Sequence, residues 1–156
     1  MHARDLSFRL HLLTARLDRA ADRVLQAEES LSYSRFLALF SIGELEASTQ
    51  RVLAEHLGVS EPSVSRMTSI LAEAGLVVAA PHQVGGNRHQ LKLTPAGRRI
   101  VQRCCTILED RLAEYVAASG VPYAQYLAHT RRLVAAFDAE GHVRERGTRT
   151  RGPRHA

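Results

Sequence analysis

The run from Gln50 to Val77, QRVLAEHLGVSEPSVSRMTSILAEAGLV, constrains the fold most, because its apolar spacing fits two short helices joined by a tight turn. Leu53, Ala54 and Leu57 share one face of the first helix, and Gly58 follows where a left-handed residue would end it. Val59 is expected to pack the turn. Ser60 offers an acceptor to the free N–H groups of the next helix, and Pro62 falls in its first turn, where a missing N–H costs little. Val64, Met67, Ile70 and Leu71 are read as the inward face, leaving Ser63, Ser65, Arg66 and Ser69 on other faces. Small hydroxyls beside one arginine suit a groove.

Around this unit the chain reads as helical. Leu6, Leu10, Leu13, Leu17 and then Val24 recur at helical spacing, predicting a long amphipathic helix over about 3–29. Phe8, Leu12 and Ala15 widen its stripe enough to call for a second helix pair or a second subunit. Leu31 to Ile42 predicts another helix, with Gly43 near its end. After the central pair, Gly75 ends the second helix, Leu76 to Ala80 reads as a short strand closed by Pro81, and His89 to Thr94 alternates with Leu91 and Leu93 on one face. Turn formers from Val84 to Arg88 make the two strands a hairpin. A helix pair followed by such a hairpin is a winged helix-turn-helix, placed at about 31–94 in a mainly α fold. Pro95 begins a long helix to about Ser119, broken by Gly120; Pro122 begins a last one through about Glu140, stopped by Gly141.

The chain has 156 residues and a net charge of +5. Residues 1–140 read as one domain. From Gly141 to Ala156 five arginines stand against one glutamate, so this stretch carries most of the excess and is expected to be a disordered basic tail. A nucleic-acid surface on the near-neutral body must therefore be a local patch. Cys104 and Cys105 are adjacent and point roughly 100° apart on a helix, which implies no intrachain disulfide and fits a reducing cytoplasm. No run reaches the ~18 apolar residues of a membrane span, so no membrane partner is expected. The eight histidines lack metal-ligand spacing, and no cofactor motif or catalytic constellation has supporting context, which argues against an enzyme.

In order, the chain shows a long first helix, LAEHLGVSEPSVSRMTSILAEAGLV, a glycine-rich wing with arginine, LKLTPAG, and two closing helices. Over about residues 5–140 it resembles the MarR family (multiple-antibiotic-resistance regulators) of bacterial winged-helix transcription factors. The match is strongest from Leu53 to Gly97, where LA-x-x-LG-x-S-x-P-x-V-S-R and L-x-LT-x-AG coincide in order and separation. The resemblance implies a homodimer whose helices over 3–29 and 95–140 interdigitate. Two recognition helices would then read an inverted repeat with half-sites about 10 bp apart in double-stranded DNA. It also implies a repressor that a small aromatic or phenolic effector releases.

Carried residue by residue, the resemblance places DNA contacts at Ser60, Pro62, Ser63, Ser65, Arg66 and Ser69, with Arg88 on the wing. Many relatives carry an aspartate before the wing arginine, whereas this chain has Gly85-Gly86-Asn87-Arg88-His89. Glu61 stands where a basic residue is frequent. His11, Tyr33 and Arg35 are the candidates for lining an effector cleft. Cys104 and Cys105 are candidates for oxidant sensing, with packing as the plainer role. The competing class is a winged-helix protein-interaction module without specific DNA binding.

Overall fold

The computed structural model describes residues 5–45, 49–81 and 89–149. Helix α1 (Asp5–Glu29) follows the predicted leucine spacing, but only its C-terminal end enters a core, where Leu25 is fully buried and Val24 packs beside it. Toward its start Leu6, Phe8, Leu10, Leu12 and Leu13 stand exposed. Ser30 then turns the chain with a left-handed φ of 52°, and the Leu31 N–H donates to the Leu25 carbonyl at 3.3 Å.

Helix α2 (Tyr33–Glu44) starts and ends two residues later than the sequence predicts. Ser32 decides the start: it holds an extended backbone and its side chain accepts from the Arg35 N–H, which puts Leu31 outside the helix. Phe36, Ala38, Leu39 and Ile42 form the buried face. Helices α3 (Gln50–Leu57) and α4 (Glu61–Glu73) are the expected pair, with Thr49 and Ser60 as N-caps. Gly58 adopts φ 66°, a value at which any side chain would strain the backbone, and it sets the tight turn between them.

Strand β1 (Val77–Pro81) pairs antiparallel with β2 (His89–Leu93), with Val77 opposite Leu93 and Ala79 opposite Leu91. Val77 and Leu91 are buried and Leu93 packs against the core, while Val78 and its partner Lys92 face outward. Leu76 lies just outside the strand because its backbone has other partners: its N–H donates to Leu71 and its carbonyl accepts from the Thr94 N–H.

Helix α5 (Pro95–Ser119) has the bounds the sequence predicts. Helix α6 (Tyr123–Arg149) corrects an expectation, since it runs through Gly141 to Arg149. An interior glycine costs a helix only about 1 kcal/mol relative to alanine, a penalty that does not by itself stop propagation. The rest of the basic stretch, 150–156, lies outside the described residues.

The chain divides into two compact units, one through Glu109 and one from Asp110. The core of the first draws on every element it contains: Leu25, Leu39, Ile42, Leu53, Val64, Leu71 and Cys104 are its largest fully buried side chains. Each buried leucine contributes about 1.5–3 kcal/mol through removal from water. In the second, Val116 is buried, whereas Leu133, Val134 and Phe137 of α6 are exposed.

Candidate nucleic-acid interface

Helix α4 is held at both ends and along one side. At its start the Ser60 side chain accepts from the Ser63 N–H at 3.4 Å, and the two hydroxyls share a hydrogen bond at 2.9 Å. Pro62 sits in the first turn. Val64, Thr68 and Leu71 are its buried residues, at spacings of four and three. Two expectations fall here. At 100° per residue Ile70 lies roughly 120° around the helix from Val64, and it is 41% exposed. Thr68 takes the inward position instead. Val59 is also exposed, because the turn closes through its backbone N–H, which donates to the Ala54 carbonyl at 3.1 Å, rather than through its side chain.

The outward side of α4 carries Pro62, Arg66, Ser69 and Ile70, with Ser63 and Ser65 half-buried at its flanks. Among the described residues, neither the Arg66 guanidinium nor the Ser65 hydroxyl has a hydrogen-bond or ion-pair partner, so the surface salt bridge that is the plain role for Arg66 is not formed. Ser69 is different: its hydroxyl donates to the Ser65 carbonyl at 2.9 Å. Glu61 begins the helix, where the positive end of the helix dipole favours an acid. Its charge also reaches Arg51, which donates to the Glu55 carboxylate at 3.0 Å and is held more firmly cationic first by that bond and then by both glutamates.

The base of the hairpin is tied to the end of α4 by the LKLTPAG segment. The Thr94 hydroxyl donates to the Gly75 carbonyl at 2.7 Å and accepts from the Gly97 N–H at 3.0 Å. A Cβ at Gly97 would stand 2.1 Å from the Leu76 carbonyl oxygen, so the motif glycine is required by close backbone approach. Arg98 donates to the Leu93 carbonyl at 2.9 Å and closes the corner between β2 and α5. Arg88 and the hairpin tip, 82–88, lie outside the described residues.

The candidate effector residues lie on two helices, His11 on α1 and Tyr33 and Arg35 on α2. His11 is exposed on α1, and no hydrogen bond, ion pair or ring contact joins it to Tyr33 or Arg35. Tyr33 stacks on Phe36 with ring centroids 6.1 Å apart, and its backbone N–H donates to Asp22 at 2.8 Å. Burial, and then the charge of Asp18, push its phenol above the ordinary value. A separate open groove of about 490 Å³ runs along α5, lined by Arg99, Gln102, Arg103, Thr106 and Ile107. The sequence reading missed it, although their spacing places them on neighbouring turns.

The two candidate sensing cysteines differ in depth. Cys104 is fully buried, and burial, with Glu29 adding, pushes its thiol up to about 11. Half-buried Cys105 is pushed up by burial and by Glu44 and Glu109. Both are held as thiols at neutral pH, whereas the thiolate is the reactive form. Nearby, Arg103 grips Glu29 with two bonds of 2.8 and 2.7 Å, fastening the end of α1 to α5 across 74 residues of chain. Neither partner was singled out from sequence. Among the described residues no group of three histidine, cysteine or acidic side chains is placed to hold a metal ion, and no helix is long and apolar enough to cross a membrane.

A capped helix pair with a half-free outer face, followed by a two-stranded hairpin, defines a winged helix-turn-helix protein. The model of the MarR family matches residues 31–82. HTH-type transcriptional regulators of Mycobacterium tuberculosis and Mycobacterium bovis are each 30% identical over 108 residues, covering 69% of this chain and 75% of theirs. A MarR-family regulator from Rhodococcus superposes with a TM-score of 0.74 at 20% identity, over 88% of this chain and 96% of its own. A mutant MarR of E. coli in complex with operator DNA superposes with a TM-score of 0.69 at 22% identity, over 85% and 93%. The chain belongs to the MarR family: it is a winged-helix, DNA-binding transcriptional regulator and not an enzyme.

Proposed function

We propose that this regulator is a cytoplasmic homodimer that represses transcription by occupying an inverted-repeat operator. The observation that carries the reading is the outer face of α4, where the unpartnered Arg66 and Ser65 lie on a helix fixed by its N-cap and by its buried side. Arg66 offers a planar pair of donors to a guanine edge or a phosphate, and Ser63 and Ser65 offer short hydroxyls at the flanks. Ser60 and Pro62 would bring the helix start close to the backbone, and the family resemblance assigns Arg88 the contact to the neighbouring groove. The dimer is supported by the exposed apolar residues of α1 and α6, which a second copy would cover.

Release follows if an effector binds a geometry that holds the two lobes at the wrong spacing better than the DNA-bound one. A small aromatic or phenolic effector is proposed from the family resemblance, with half-buried Tyr33 and Arg35 near the end of α1 as its candidate contacts and His11 as a more distant one. Selection of bound sequences from a random duplex library, followed by a salt series on the winner, tests the function. Enrichment of an inverted repeat with a steep salt dependence is expected. Weak binding to every duplex would favour the protein-interaction module.

A further inference from the structure

One peptide group on α4 receives unusual attention from its neighbours. The carbonyl of Ser65 belongs to the peptide that joins Ser65 to Arg66, the two unpartnered side chains on the outer half of the helix. The Thr68 hydroxyl donates to that oxygen at 3.1 Å and the Ser69 hydroxyl at 2.9 Å. The two hydroxyls approach from opposite environments: Thr68 is 3% exposed and faces the core, while Ser69 is exposed. Thr68 is in turn anchored to α3, because its oxygen accepts from the Gln50 side chain at 3.4 Å. Serine and threonine hydroxyls that bond back onto their own helix draw the accepting carbonyl toward them and bend the helix slightly. Two on one carbonyl fix that peptide plane from both sides.

We infer that Thr68 and Ser69 are positioning residues for DNA reading, which clamp the Ser65–Arg66 peptide and so aim the Arg66 guanidinium and the Ser65 hydroxyl. The inference rests on the proposed role of Arg66 and Ser65 at the DNA. It also changes the role of Ser69, whose hydroxyl proton is committed within the helix: it acts through its neighbours more than by touching a base. The buried face of α4 thereby has a part in specificity. A valine in place of Thr68 would keep its branched shape but remove the hydroxyl, ending both the bond to the Ser65 carbonyl and the one from Gln50, and would leave that carbonyl with the Ser69 hydroxyl and its ordinary helix bond.

The test uses the full chain and the duplex that the wild-type protein selects, with binding measured against single-base variants of that duplex and against an unrelated one. Thr68→Val and Ser69→Ala are each expected to lower discrimination between the selected and unrelated duplexes roughly three- to tenfold, the range one hydrogen bond supplies. The loss should concentrate at the base pairs where Arg66→Ala flattens preference. Thr68→Ser should restore it, and Thr68→Val should have no further effect in a background that lacks both aimed side chains, Ser65→Ala with Arg66→Ala. A change confined to stability would lower the active fraction for all duplexes alike and leave the ratio unmoved; that result overturns the inference. Ser69→Ala is an exposed change to a better helix former, so it remains informative if Thr68→Val does not fold. Independent, multiplying losses in the Ser65→Ala, Arg66→Ala background would also overturn it. A wild-type chain that selects no sequence would instead sink the DNA-reading role of α4 itself.

Discussion

The lobe from Leu31 to Leu93 and the helices α1 and α6 treat their apolar residues in opposite ways. In the lobe, one apolar residue set at helical and strand spacing goes inside, with Leu39, Leu53, Val64, Leu71, Val77 and Leu91 all buried within one chain, while Val52, Val59, Ile70 and Val78 stay on its outer faces. On α1 and α6 the same kind of spacing leaves Leu6, Phe8, Leu10, Leu133, Val134 and Phe137 in solvent, with Phe137 74% exposed. Periodicity thus says that a face is apolar, while only the surroundings say whether this chain covers it. Exposed apolar patches of this kind mark interaction surfaces, and the contrast sets a lobe whose core is completed by Leu25 of α1 and Cys104 of α5 against arms, α1 and α6, whose apolar residues stand largely open.

That contrast can be broken at several points. The largest effect is expected where α5 meets the base of the lobe, at Gly97→Ala, where the added Cβ meets the Leu76 carbonyl oxygen and overpacking should destabilise by about 3 kcal/mol; urea unfolding measures it, and an unchanged midpoint would mean the hairpin base can shift. On the arms, Phe137→Asp should leave the lobe folded but weaken self-association by about 2–4 kcal/mol, as for a central interface aromatic. Sedimentation would then show monomers at concentrations where the proposed wild-type dimer forms, and an unaltered mass distribution would place the interface elsewhere. Arg66→Ala should weaken specific DNA binding by roughly 1–3 kcal/mol with little change in stability; a folded variant of unchanged affinity would remove Arg66 from the interface.

The smallest effect sharpens the joint between arm and lobe. The Arg103 hydrogen bond holds Glu29 below the ordinary glutamate value of 4.5. A lowered carboxylate pKa means stability that is present at neutral pH and lost as pH falls below about 4.5 toward the folded value. Glu29→Gln should therefore lower stability by a constant amount at neutral and alkaline pH and flatten the acid limb, where the native carboxylate loses its contribution anyway, a modest effect because Arg103 is largely solvated. Parallel acid limbs in the two proteins would assign the loss to other carboxylates.

Much of the fold was legible in local chemistry. Ser60 before Pro62 marked the start of α4, Gly58 the turn, Pro95 the start of α5, and the alternation at Leu91 and Leu93 the inner face of β2. The misses share a cause. Ile70 and Val59 were assigned inward on hydrophobicity alone, whereas the stripe through Val64 and Leu71 leaves Thr68, not Ile70, against α3. For the site, motif position picked out Arg66 and the cap at Ser60, but the internal commitments of Ser63 and Ser69 depend on hydroxyl geometry that spacing does not carry.

By itself, then, the sequence determined the identity and order of the elements and the family, since capping, turn chemistry and periodicity act over a few residues. Tertiary structure alone decided which apolar faces are covered, that Arg103 reaches Glu29, that Gly97 must lack a side chain, and that Thr68 turns inward to hold the peptide beside Arg66. Those outcomes depend on atoms brought together from distant parts of the chain, or on the exact rotation of a helix against its neighbour, and neither is encoded in the spacing of residues along one segment.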